Sequence, residues 1–166
     1  MATTIRTTIA TAAFAALAAF APVGAALTLP AAAPTADAAQ MCAPNHNPIY
    51  ENMHRVPPAV PGAEWTFDGR TTNVDFCKDL SYAELTTKGG TVSSPKQLIL
   101  FHKGEYLGVG TEVSMPYQRI THSDGTSVTV QYGVRGSSNA EVIWQNYVTY
   151  RWVGDHVRME GKLPIG

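Results

Sequence analysis

Two patterns of apolar and polar positions follow one another along this chain. From Glu64 to the C-terminus, Val, Thr, Tyr, Trp and Leu alternate with polar residues and glycine-containing turns recur, the signature of antiparallel strands. Residues 39–62 are instead rich in Pro and Asn, with Pro44, Pro48, Pro57, Pro58 and Pro61. They permit one short helix between Pro48 and Val56, with Pro48 in its first turn and Pro57-Pro58 ending it. Three hairpins can be registered. In Gln97 to Thr111 a two-residue turn at Lys103-Gly104 pairs Phe101 with Tyr106 and Leu100 with Leu107. Leu98, Leu100, Leu107 and Val109 then share one face, and Ile99, Phe101, Tyr106 and Gly108 the other, so this hairpin is expected to be covered on both sides. Gly108 would leave room for a neighbouring ring or helix.

The second hairpin joins Gln118–Ser123 to Thr126–Tyr132 through Asp124-Gly125, a dipeptide suited to a type I′ turn, with Val128, Val130 and Tyr132 on one side. The third turns at Gly154-Asp155 and sets Trp152 opposite Val157 and Tyr150 opposite Met159. Its reverse face carries Tyr147, Thr149, Arg151, His156, Arg158 and Glu160. With short strands near Glu64–Phe67 and Tyr82–Thr86, the expected class is α+β: a mostly antiparallel β meander of about seven or eight strands with one short N-terminal helix. Trp65 and Phe67 share a strand face and read as core.

Ahead of both patterns, residues 1–38 have the layout of a secretory signal peptide: a singly basic opening through Arg6, an alanine-rich apolar run from Ile9 to Leu27, and a small-x-small site at Ala36-Asp37-Ala38. Three regions result: a leader (1–38), a Pro-rich segment with the helix (39–62), and an antiparallel β domain (63–166). A lipid-modified cysteine usually follows a small apolar tripeptide, whereas Cys42 follows Ala39-Gln40-Met41, which argues against a lipid anchor there. The expectation is a secreted or envelope-associated domain.

Composition narrows this only by exclusion. The chain has 166 residues with 12 basic and 13 acidic ones, and removing the leader with its Arg6 and Asp37 leaves 128 residues with a net charge still of -1. That is one domain by size. Its bulk charge points to neither nucleic acid nor an anionic membrane. Past the leader no apolar run approaches the roughly 18 residues of a spanning helix. The two cysteines that survive, Cys42 and Cys77, read as one disulfide in an oxidising compartment, worth on the order of 3 to 4 kcal/mol by loop entropy.

Three segments resemble one family: "DFCKDLSYAEL" from Asp75, "SSPKQLILFHKGEYLGVGT" from Ser93 and "YVTYRWVGDHVRMEGKLP" from Tyr147. Together they are similar to the LppP/LprE family of exported actinobacterial lipoproteins, over roughly Gly62 to Pro164. The resemblance implies a cell-envelope location and transfers no catalytic residue.

Candidate chemistry is sparse. His46, His54, His102, His122 and His156 show no His-x-His or His-x-x-x-His spacing, so no metal is expected, and no motif calls for a cofactor. Ser93 or Ser94, His102, and Asp75 or Asp79 supply the residue types of a nucleophilic triad without a Gly-x-Ser-x-Gly elbow. His102 could instead line a pocket mouth beside the Lys103-Gly104 turn. Arg151 and Arg158 face each other in the proposed register, a like-charge pair that Glu160 can offset or that, with Tyr147 and His156, can form a small anion-binding site. The leading expectation is a non-enzymatic module that binds an unidentified envelope component or protein partner. The alternatives are a secreted hydrolase with its site near His102, and a small-ligand carrier with a cavity between the sheet and the helix near Gly108.

Overall fold

A computed structural model describes residues 42–138 and 140–164; the expected leader and its cleavage site lie outside the described residues. The Pro-rich segment forms helix α1 (Asn47–Asn52), continued by a 3-10 turn over Met53–Arg55. Asn45 Oδ1 accepts from the Asn47 N–H and Pro48 sits in the first turn, where its missing donor costs nothing. Val56 is already extended, as a residue before proline must be. Eight antiparallel strands follow in two sheets of four, each in sequential order.

Sheet A holds β1 (Trp65–Thr66), β2 (Ser81–Thr87), β3 (Lys96–His102) and β4 (Glu105–Val109). Sheet B holds β5 (Gln118–Ser123), β6 (Ser127–Arg135), β7 (Val142–Val153) and β8 (His156–Gly161). The α+β, mostly antiparallel expectation holds, with the meander divided in two. Sheet A is covered on both faces. Ala83, Leu85, Ile99 and Phe101 pack on Ile49, Val56, Phe67 and Val74 of the N-terminal region, with Trp65 against the same cluster. The opposite face, through Leu98 and Leu100, packs on Val128, Val130, Tyr132, Val148 and Tyr150 of sheet B. Each fully buried Val, Leu or Ile contributes about 1.5–3 kcal/mol, so these two interfaces hold the three layers together.

The registers explain where simple alternation fails. Phe101 pairs with Tyr106 as expected, but a bulge sets Leu100 opposite Gly108, leaving Leu107 unpaired and partly exposed. Val109 consequently pairs with Ile99 and packs toward the helix side, not with Leu98 and Leu100. A Cβ on Gly108 would meet nothing within 4 Å; the position needs glycine because its φ is 132°. The type I′ geometry belongs to Lys103-Gly104, with φ of 47° and 82°. Asp124-Gly125 is different: Asp124 Oδ1 accepts from the Thr126 and Ser127 N–H groups and Ser123 pairs with Val128, so the side chain caps a longer loop. Those bonds hold the Asp124 carboxyl well below the usual carboxylate range. The last hairpin keeps its expected register, with Trp152 opposite Val157 and Arg151 opposite Arg158. A Cys42–Cys77 disulfide ties the start of the N-terminal segment to the loop before β2, and Asn45 donates to the Val74 carbonyl nearby.

Candidate functional site

Beyond the packed centre, the two sheets diverge on the side of β2 and β5 and leave a cleft of about 1140 Å³. Both ends are tied. At one, the Leu80 N–H donates to the Gly125 carbonyl and Asn73 Nδ2 to Ser123 Oγ at 2.7 Å. At the other, Lys96 and Met115 exchange backbone hydrogen bonds. One wall comes from the segment around Arg70–Asn73 and from β2 and β3; β5 and the start of β7 supply the other. The trough runs along the six residues of β5, roughly 20 Å at strand rise.

Its chemistry follows from the sheet A register. Tyr82, Glu84 and Thr86 lie on the face that looks toward sheet B, and Lys96 pairs with Thr86. Glu84 is therefore carried inside, where its carboxylate meets Lys96 Nζ at 2.8 Å, with side-chain exposures of 6% and 29%. A buried carboxylate needs such a partner. Burial, and then the Glu84 charge, push the Tyr82 phenol up, so it stays a neutral O–H group. On β5, Gln118 pairs with Tyr132 and turns inward, buried, with neither Nε2 nor Oε1 hydrogen-bonded. Such an amide costs about 1–3 kcal/mol per unmet group. Arg70, Lys78 and Arg119 add positive charge to the lining, against Asp124, already occupied by its loop. Lys78 is itself paired with Asp75 at 2.6 Å, and Arg119 lies over the Trp144 ring, 4.3 Å from its centroid, at the cleft rim.

The residues singled out from sequence lie elsewhere. Arg151, Arg158, Tyr147 and His156 occupy the outer face of sheet B, with Arg158 Nη2 2.6 Å and Arg151 Nε 3.9 Å from the one Glu160 carboxylate. His156 Nδ1 is 2.7 Å from Asp155 Oδ1. His102 lines neither this cleft nor the cavity near Gly108: its ring stacks on Trp152 and its Nδ1 meets the Asp79 carbonyl at 2.7 Å. Nor is a triad assembled. Ser94, which accepts from the Thr91 N–H, precedes β3 while His102 ends it, and that strand alone spans roughly 20 Å at strand rise. The cavity near Gly108 is about 180 Å³ and lies between the two sheets, lined by Leu100, Tyr150 and Met159, not between sheet and helix. Among the described residues no group of three His, Cys, Asp or Glu is placed to hold a metal ion, and no helix is long and apolar enough to cross a membrane.

Residues 72–155, which include the whole cleft lining except Arg70 and Thr71, match the LppP/LprE lipoprotein family. The chain belongs to that family. Proteins named "Putative lipoprotein LppP" from Mycobacterium tuberculosis (strain H37Rv) and Mycobacterium bovis are 29% identical to it over 122 residues, covering 72% of this chain and 66% of each relative. The chain thus spans slightly under two thirds of the length of these LppP relatives. No solved structure matches it. LppP/LprE membership points to an exported, envelope-associated protein and assigns no activity. Sequence reasoning missed the cleft because its two walls are 22 to 62 positions apart in the chain, from Tyr82, Glu84 and Lys96 on one to Gln118 and Trp144 on the other, in strands where a Glu or Gln reads as solvent-facing. The available signal was Glu84 itself, a charge in phase with Tyr82.

Proposed function

We propose that this chain is an exported envelope domain that binds, without transforming, an anionic hydroxyl-bearing envelope component such as an acidic saccharide, in the cleft between its two sheets. The observation that carries this is the buried polar lining. The Glu84–Lys96 pair offers one acceptor and one donor at a fixed position, and the Gln118 amide, buried behind the lining with neither group bonded, supplies both once it turns toward a ligand. A sugar hydroxyl donates and accepts at once and so complements all three. Arg70 and Arg119 suit a carboxylate or phosphate on the same ligand, and Trp144 gives the rim an aromatic surface. Support for binding over catalysis is the ion pairing of Glu84, which is engaged by Lys96 in the resting site, and the packing of His102 away from the cleft.

Attachment at Cys42 competes with this architecture, since one sulfur cannot carry both an acyl-glyceryl thioether and the bridge to Cys77. The proposed form is therefore bridged and free of lipid at Cys42.

Titrating galacturonate trimer, with galactose trimer as neutral control, into ¹⁵N-labelled protein tests the cleft. The acidic trimer is expected to move the Gln118 side-chain amide and backbone signals of β2 and β5, and an Arg70→Ser/Arg119→Ser variant to respond less. Unmoved cleft signals, or equal responses to both trimers, would remove the reading.

A further inference from the structure

Sheet A is covered on both faces, but among the described residues the apolar packing of sheet B is on one face only, and the residues of its other face fall into three rows by register. One row is Arg119, Gln131 and Tyr147; the next brings His122, Thr129, Thr149 and Glu160 together; the third is Ser127, Arg151 and Arg158, with Gln131 and Ser127 themselves buried beneath their neighbours. In these rows, among the described residues, three guanidiniums share the surface with one carboxylate, Glu160, which both Arg151 and Arg158 approach, while Arg119 donates to Gln131 beside it. Asp155, at the tip of the β7–β8 turn, is engaged by His156. The Thr129 and Thr149 hydroxyls bond to each other at 2.9 Å, so the middle of the face is polar and self-satisfied. Tyr147, 56% exposed, and Trp144 beneath Arg119 bring large amphipathic rings to the same end.

Arginines held directly opposite each other cost stability unless a negative partner offsets them, and Glu160 supplies one charge for two. Arginine next to exposed Trp and Tyr on a flat surface is the chemistry of a lipid headgroup zone, where the rings enter the interface and the guanidiniums hold phosphates in forked pairs. We infer that the outer face of sheet B docks on an anionic lipid bilayer. The charge complementarity and the interfacial rings select this occupant over an acidic protein, which would call for a concave or apolar anchor site. Docked this way, the Arg119–Trp144 corner brings the rim of the cleft to the bilayer surface. The inference stands without the saccharide reading.

Co-sedimentation with vesicles tests it, using equimolar phosphatidylglycerol and phosphatidylcholine against pure phosphatidylcholine. Any lipid anchor inserts into both alike, so the difference between them reports the face. Preferential binding to the anionic vesicles is expected, falling roughly 30-fold in Arg151→Gln/Arg158→Gln and weakening in 0.5 M salt, given about fivefold per arginine at an anionic surface. Tyr147→Ser is expected to weaken binding without altering the salt dependence. Arg70→Ser, in the cleft wall, should bind as the unaltered protein does, which separates this inference from the cleft. Equal binding to both vesicles, or an undiminished preference in the double arginine variant with its fold intact by circular dichroism, overturns it.

Discussion

The imidazole of His102 lies flat on the indole of Trp152, with ring centroids 4.0 Å apart and planes 17° from parallel. His102 ends β3 in sheet A and Trp152 belongs to β7 in sheet B, so the stack pins the layers together at the end where the Lys103-Gly104 and Gly154-Asp155 turns lie. The Asp79 carbonyl fixes the ring at its edge, through Nδ1. His102→Ala removes the stack and the hydrogen bond and should cost about 1–3 kcal/mol, read as a lower urea midpoint. His102→Phe, which keeps only the stack, should recover part of that. A midpoint indifferent to both changes would show the contact to be incidental.

Tyr132 and Tyr150 share a hydrogen bond at 3.0 Å in the core between the sheets. Tyr132→Phe leaves the Tyr150 hydroxyl buried without this partner, at about 1–2 kcal/mol, and the double Phe variant should cost less than the two single changes combined. Thermal unfolding of the four proteins completes the cycle.

Burial pushes both phenols up, Tyr132 furthest, with the Tyr150 neighbour adding to its shift. Burial likewise raises Tyr82 and Tyr106. In the unfolded chain these groups ionise near about pH 10, so above that pH the unfolded state binds fewer protons than the native one. Stability present in full below about pH 10 should therefore fall as pH rises. Melting temperatures between pH 8 and 11 should drop less steeply for the Tyr132→Phe/Tyr150→Phe variant.

Glu84 and Lys96 form the ion pair inside the cleft. Glu84→Gln strands a partly buried ammonium and should destabilise by about 1–3 kcal/mol, less than a fully buried pair would because Lys96 keeps some solvent. Glu84→Met/Lys96→Met should be more stable than the single variant while losing the response to acidic trimer. Stability that falls further in the double variant would contradict this account of the pair.

The Cys42–Cys77 bridge closes a separation of 35 residues and should contribute on the order of 3 kcal/mol. Cys42→Ser/Cys77→Ser should lower the urea midpoint accordingly and speed amide exchange at Asn45, whose N–H bonds the Val74 carbonyl. Intact mass of protein recovered from cells and medium should show a species two daltons lighter than its reduced form; acyl mass on Cys42 would instead mean that the bridge does not form.

Local patterns carried a large share of the fold. Alternation and turn residues placed every strand pair of the Phe101–Tyr106 and Trp152–Val157 hairpins nearest their turns, because a two-residue turn fixes register for the residues beside it. Prolines alone bounded α1 together with the 3-10 turn that continues it. Alternation failed at Leu107, where one bulged residue moved Val109 to the other face, and at Asp124, where side-chain capping overrode a favoured turn dipeptide. Neither event has a cost visible in a hydrophobic pattern, since each is decided by what the neighbouring strand can accept.

Arg151 and Arg158 were found from sequence because they lie across one short hairpin, whereas the cleft was not legible. Strand identity, the single short helix and the arginine row were thus determined by the sequence itself, through contacts closed by short loops. The division into two sheets, the burial of Glu84 and Gln118 between them and the packing of His102 on Trp152 were decided only by the tertiary structure. Those contacts join residues 12 to 50 positions apart, and their free energy exists only once both sheets are formed and stacked.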